Sequence, residues 1–230
     1  MPDESEQPAP RVAEADEQRI RQIYRTDFEK YGATQAALDM RPSSQVVRFG
    51  AIHRLFSPPQ PESLLDIGCG FGDLLRFLRQ KGWTGRYVGI DFMSEFISEA
   101  LQRHGHDEGA SFVTGHILDA DLPVKGFDVC TAVGLCNNQR DSGSRLFIDA
   151  LIARAVSLAR QTILVDFLSQ TSNRRRDDLF FSDPGEVLAT GLRYSRRVVL
   201  DHSYMPFEFV LKIRLDDEVV PQLPYFATET

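Results

Sequence analysis

No stretch of the 230-residue chain approaches the ~18–20 consecutive apolar residues of a membrane-spanning helix, so no membrane partner is expected. The start, M-P-D-E-S-E-Q-P-A-P, lacks both a basic segment and an apolar core, which argues against a secretory signal. Polar and proline-bearing, residues 1–15 read as a disordered tail. Basic residues are the minority, 26 Lys and Arg against 33 Asp and Glu, for a net charge of −7. A nucleic-acid backbone needs a basic face, so nucleic acid is not the expected partner. Cysteine is scarce: Cys69, Cys130 and Cys136 have neither metal-ligand nor disulfide-framework spacing. Their odd number points to a reducing, cytoplasmic setting. His104-Gly105-His106 lacks a nearby carboxylate or cysteine and reads as an exposed turn, so no metal site is expected.

What is present centres on Ser63 to Asp73, S-L-L-D-I-G-C-G-F-G-D. Leu64-Leu65-Asp66-Ile67 reads as a buried strand. Gly68, Gly70 and Gly72 follow at alternate positions, and Phe71, Leu74, Leu75 and Leu78 then fall at helical spacing. Strand, glycine turn and helix together cradle nucleotide-like ligands in α/β sheets, because a backbone without Cβ atoms can turn sharply beside the ligand. The spacing is G-x-G-x-G rather than the G-x-G-x-x-G of dinucleotide folds. Asp66 at the strand end suits a cationic, hydrogen-bond-donating ligand better than a pyrophosphate, which disfavours a nicotinamide oxidoreductase.

D-I-G-C-G-F-G resembles the first motif of the class I S-adenosylmethionine (SAM) dependent methyltransferases. Further residues extend the likeness. Arg86 to Ile90 reads as a second strand ending in Asp91, an acid about twenty residues past the glycines and placed for ribose hydroxyls. Leu122-Pro123, then Phe127-Asp128-Val129 and Gly134, resemble the fourth-strand region of the family. Strands at Arg196 to His202 and Phe207 to Leu215, joined by a short corner, read as a hairpin, since only an antiparallel pair closes over so few residues. The expected fold is therefore α/β: a Rossmann-like, doubly wound, seven-stranded sheet, mostly parallel, with an antiparallel last strand. The expected organisation is a helical lid over 16–60, a SAM-binding domain over 61–215 and a tail over 216–230. The lid contains an amphipathic helix over Asp16 to Tyr31, with Ile20 and Tyr24 on its apolar face. A second helix follows Pro42, capped by Ser43 or Ser44, with Val46, Phe49, Ile52, Leu55 and Phe56 inward.

The resemblance implies a cofactor, SAM, and a set of residues to hold it. Asp66 with Gly68, Cys69 and Gly70 would take the aminocarboxypropyl end and Asp91 the ribose, while Phe92 and Ile117 would sandwich the adenine. The family usually has an acid at the position of His116, so this chain departs from it there. Gly134 faces the transferred methyl in the resemblance, and Arg48 is a candidate partner for the SAM carboxylate, because Arg binds carboxylates bidentately. Candidate acceptor-side residues are Tyr31, Asn137, His202 and Tyr204. Tyr31 and Asn137 rank first, because ligands bind outside the carboxyl ends of parallel strands and the hairpin turn need not fall there. Asn137-Asn138 lacks the prolines of nucleobase-amino methylating enzymes. The expected activity is methyl transfer to a small-molecule O, N or C nucleophile by in-line displacement. The alternatives are a protein or RNA methyltransferase, or a SAM-binding protein that does not catalyse. Neither the acceptor nor the oligomeric state is legible in the sequence.

Overall fold

The computed structural model describes residues 14–56 and 58–216. Seven strands form one sheet in the order β3-β2-β1-β4-β5-β7-β6. They are β1 (Ser63–Ile67), β2 (Arg86–Asp91), β3 (Ala110–Thr114), β4 (Phe127–Ala132), β5 (Ala159–Leu168), β6 (Arg197–Met205) and β7 (Glu208–Arg214). The first five run parallel, and β7 is antiparallel to both β5 and β6. The central strands are buried on both faces, which is why β1 and β4 read as continuous apolar runs rather than alternating ones.

The helices are α1 (Glu14–Tyr31), α2 (Pro42–Arg54), α3 (Asp73–Gln80), α4 (Ser94–His104), α5 (Ser144–Leu158) and α6 (Pro184–Leu192). Along β1 the side chains alternate between faces. Leu65 and Ile67 pack with Phe147, Leu151 and Val187 of α5 and α6, while Leu64 packs with Phe49, Leu74 and Leu78 of α2 and α3. The sheet is therefore covered on both sides, and the expected fold is observed.

The departures are local. α1 starts at Glu14, inside the predicted tail; the rest of that tail and residues 217–230 lie outside the described residues. α2 begins two or three residues earlier than expected: Arg41, not Ser43 or Ser44, is its N-cap, without a side-chain cap, and Pro42 takes the first turn. Proline is pre-set for that position because its fixed φ is already helical. Val46 faces solvent, and Gln45 and Arg48 are buried instead. A 3₁₀ turn over Gln35–Leu38, not legible in the sequence, follows α1. β6 runs three residues beyond His202, so the corner predicted over Ser203 to Pro206 is mostly strand.

Candidate active site

β1 lies between β2 and β4, so the connections leave it in opposite directions. Such a switch point opens a crevice at the carboxyl ends of the strands. The glycine turn lines it. The Gly68 and Cys69 amides both donate to the Ile90 carbonyl, at 2.8 and 3.1 Å. Gly68 and Gly70 take φ of +73° and +54°, and a Cβ on either would stand 3.1 Å from Leu135 or Leu38. A side-chain-bearing residue at either position would be strained and would intrude on the crevice wall.

Two acids anchor the turn. Asp91 accepts from the Gly70 amide at 3.0 Å and the Met93 amide at 2.9 Å. Asp66 accepts from Tyr87 Oη at 2.6 Å and Thr131 Oγ1 at 3.1 Å. Burial outweighs these hydrogen bonds and pushes each carboxyl up to about 6. A cationic ligand beside them would favour their ionised forms.

Three connected chambers follow the crevice. The first is bounded by Ile67, Gly68, Ile90, Asp91, Phe92, His116 and Ile117, with Glu17 and Ile20 from α1 and Arg140 and Phe147 beyond β4. The second shares Gly68, Asp91 and Phe92 and adds Asp66, Cys69, Gly70 and Gly134, with Tyr24, Met40 and Gln45 above them. The third shares Tyr24, Leu38, Met40 and Gly134 with the second and adds Arg48, Asn137, Asn138 and Arg176. Tyr24 thus stands where the second chamber meets the third.

α1 reaches across these chambers because its first two turns are tied to the loops beneath. Asp16 accepts from the Asp141 and Ser142 amides, both at 2.8 Å. Burial alone would raise its carboxyl, but those bonds and the Ser142 hydroxyl hold it well below the usual range. Arg19 donates to the Gln139 carbonyl at 2.5 Å. Arg21 donates to the Phe92 carbonyl at 2.5 Å, with its guanidinium 4.6 Å from the Phe92 ring centre. Glu17 Oε1 lies 2.6 Å from His116 Nε2. Burial pushes the Glu17 carboxyl up, and the His116 contact, with Arg140 and Arg21, outweighs it and lowers it.

The predicted cofactor residues Asp66, Gly68, Cys69, Gly70, Asp91, Phe92, His116, Ile117 and Gly134 all border the first two chambers. Arg48 departs from expectation. It borders only the third chamber, and its Nε and Nη2 bond Glu208 at 2.9 and 2.6 Å, with Asp166 at 3.5 Å. Burial alone would lower the guanidinium; Asp166 and Glu208 outweigh it and keep it charged. Its fork therefore serves two buried carboxylates rather than a carboxylate of the ligand.

The acceptor-side candidates separate. Asn137 borders the third chamber, where its Oδ1 accepts from the Leu168 amide at 3.2 Å. Tyr31 is exposed at the end of α1 and borders none of the three chambers. The β6–β7 turn does lie at the carboxyl end of the sheet, since Glu208 pairs with Leu168. β6 is nevertheless the edge strand, two places from β5. His202 there bonds Ser169 Oγ at 2.9 Å and stacks on Phe209, outside the chambers. Tyr204 is set near Asp166, Glu208 and Arg48, whose charges act on it, and its buried hydroxyl has no hydrogen-bond partner among the described residues. Sequence reasoning missed Glu17, Tyr24 and Arg140 as site residues. The helical face of α1 held the signal for Tyr24, but not what that face covers.

A glycine turn at the switch point, two strand-end acids and a chamber bordered by Phe92 and Ile117 suit an α/β domain for a nucleoside-bearing cofactor. The methyltransferase-domain family model matches residues 64–157. A Mycobacterium tuberculosis protein provisionally named a methyltransferase is 29% identical over 167 residues, 70% of this chain and 98% of its own. The 2-phytyl-1,4-naphtoquinone methyltransferase of Thermosynechococcus vestitus is 36% identical over 74 residues, 32% of this chain. The match spans about a third (33%) of that relative's length. Among solved structures, the Synechocystis PCC 6803 magnesium protoporphyrin IX methyltransferase with bound SAM shares the fold. Its TM-score is 0.52 at 17% identity, over 86% of this chain and 90% of that one. Residues 64–157 carry a methyltransferase domain, and the relatives and structural neighbours support a class I SAM-dependent methyltransferase with SAM as its cofactor.

The residues present fit that cofactor: the glycine turn leaves a cradle that a Cβ would fill, and its acids suit a sulfonium and ribose. Among the described residues there is no cluster of three or more His, Cys, Asp or Glu side chains placed for a metal, and no helix is long and apolar enough to cross a membrane.

Proposed function

We propose that the enzyme methylates a small-molecule acceptor held in the third chamber, beneath a lid formed by residues 16–60 on the domain of 61–215. The observation that carries this reading is the continuity of the chambers through Tyr24 and Gly134. Arg176 narrows the edge of the third chamber by pairing with Asp39 at 2.9 Å and with Asp178. Within the 174–176 run, Arg175 turns back to the Gln170 carbonyl at 2.5 Å.

Bound SAM supplies a methyl activated by its sulfonium. Asp91 and the glycine turn would fix the cofactor, and the lid would exclude water, so that the acceptor meets the methyl in line. The acceptor's lone pair forms the new bond as the carbon–sulfur bond breaks. An acceptor proton leaves to solvent or to a neighbouring base. Tyr24 supplies orientation at the junction: Asn138 Nδ2 donates to its hydroxyl oxygen at 3.1 Å, which leaves the hydroxyl proton to donate to the acceptor. Burial keeps that phenol neutral by raising it above its ordinary value.

Isotopically labelled SAM incubated with cell extract, then split into small molecules and macromolecules, tests this reading. Label in the small-molecule fraction is the expected outcome. Label in protein or RNA would favour a macromolecular acceptor, and label in neither, with SAM bound, a protein that binds without catalysing. The relatives named for a naphthoquinone and a porphyrin substrate support the small-molecule reading without naming the acceptor.

A further inference from the structure

The first chamber is bordered by a buried cation with two unpaired donors among the described residues. Arg140 is 5% exposed, borders the chamber, and stacks its guanidinium 3.7 Å from the Phe147 ring centre. Its Nε and Nη1 have no hydrogen-bond partner among the described residues. Orphaned donors at that depth are costly unless a ligand meets them. Glu17 borders the same chamber, with its Oε1 held by His116. The chamber therefore presents a carboxylate acceptor and guanidinium donors, with Phe92 and Ile117 supplying apolar surface.

That pattern matches one edge of adenine. The 6-amino group donates and the adjacent ring N1 accepts. Hypoxanthine reverses both: its 6-oxygen accepts and its N1–H donates. We propose that Glu17 and Arg140 read the base of the cofactor, Glu17 taking the 6-amino group and Arg140 an acceptor nitrogen of the ring, with His116 as the positioning residue for Glu17. This rests on the SAM site described above and assigns base recognition to two residues outside the glycine-turn core. It also accounts for the missing acid at position 116. The carboxylate comes instead from α1, and a histidine beneath orients it.

The same contacts make α1 part of the cofactor site. The Asp16 and Arg19 bonds to 139–142 hold Arg140 and Glu17 in one assembly, so α1 and the loop after β4 must be together before the base is read.

Calorimetric titration of the full chain with S-adenosylhomocysteine and with S-inosylhomocysteine, its deaminated analogue, tests the assignment without knowledge of the acceptor. The wild type should prefer the adenine ligand by at least about 100-fold, since the analogue leaves buried polar groups unpaired. Glu17→Gln places an amide that can donate or accept, so the preference should fall below about 10-fold, partly through tighter binding of the inosyl ligand. Arg140→Met keeps the apolar stem and removes the donors; it should weaken S-adenosylhomocysteine about 10-fold or more. Equal wild-type affinity for the two ligands would overturn the proposal and leave the cofactor site standing. So would equal weakening of both ligands in Glu17→Gln, the mark of a merely structural role. A folded wild type that binds neither ligand would overturn the cofactor site together with the proposal.

Discussion

Tyr24 on α1 and Asn138 after β4 are joined by a 3.1 Å hydrogen bond where the second and third chambers meet. The bond spans 114 residues of sequence and fixes a half-buried phenol at the junction where the proposed methyl transfer would take place. Tyr24→Phe keeps the ring packing against Phe92 and Phe96 and removes only the hydroxyl. S-adenosylhomocysteine affinity should change by less than about 3-fold, while the rate of label transfer into the small-molecule fraction drops by about 10-fold or more, as expected for one lost polar contact. A parallel loss of cofactor affinity would place Tyr24 in cofactor binding instead.

Asp91 carries both the glycine turn and the proposed ribose contact. Asp91→Ala leaves the Gly70 and Met93 amides without their acceptor. The affinity for S-adenosylhomocysteine should fall by at least about 100-fold, from lost charge-assisted hydrogen bonds and a loosened turn. Saturable titration at unchanged affinity would contradict the assignment.

Arg48 neutralises two carboxylates where α2 meets the last strands. Arg48→Met would leave Glu208 and Asp166 buried without a counter-charge, a loss of about 3–5 kcal/mol of stability by chemical denaturation. Arg48→Met combined with Glu208→Gln should recover part of that loss, because one uncompensated charge goes with the substitution. A single variant as stable as the wild type would show that the cluster adds nothing.

Three buried acids, Asp66, Asp91 and Asp166, share a direction: burial pushes each up to about 6, above the 3.8 of a free carboxyl. For Asp166 the nearby Arg48 only partly offsets burial. Between about pH 4 and 6 the folded chain holds more protons at these groups than the unfolded chain does. Their contribution is therefore most favourable below about pH 4 and is lost as pH rises through 6, by about 2–3 kcal/mol for each group. Asp66→Asn removes one such contribution while its amide oxygen still accepts from Tyr87. Above pH 6 this variant should be more stable than the wild type, and the difference should shrink toward pH 4. Equal stabilities across that range by pH-dependent denaturation would refute the direction given for Asp66.

How much was legible in the sequence differs by residue. The turn from Ser63 to Asp73, Asp91 and Gly134 were readable, because their roles depend on local backbone geometry and on strand ends a few residues away. The start of α6 is local in the same way: Asp183 precedes Pro184 and accepts from the Gly185 and Glu186 amides at 2.7 and 3.0 Å. Arg48 was misread, because a lone arginine on a helix gives no sign that Glu208, 160 residues later, will take its fork. Tyr31 was preferred to Tyr24 although both belong to one helical face, because only docking decides which turn of a helix lies over a crevice.

The sequence by itself determined the sheet, the switch point and the class of cofactor, since these follow from apolar periodicity, glycine spacing and acids at strand ends. Only the tertiary structure decided that α1 crosses the crevice, that Glu17 stands against His116, and that Arg140 Nε and Nη1 are buried without a hydrogen-bond partner among the described residues. Those facts depend on contacts between segments about a hundred residues or more apart, set by packing and charge pairing that no local pattern encodes.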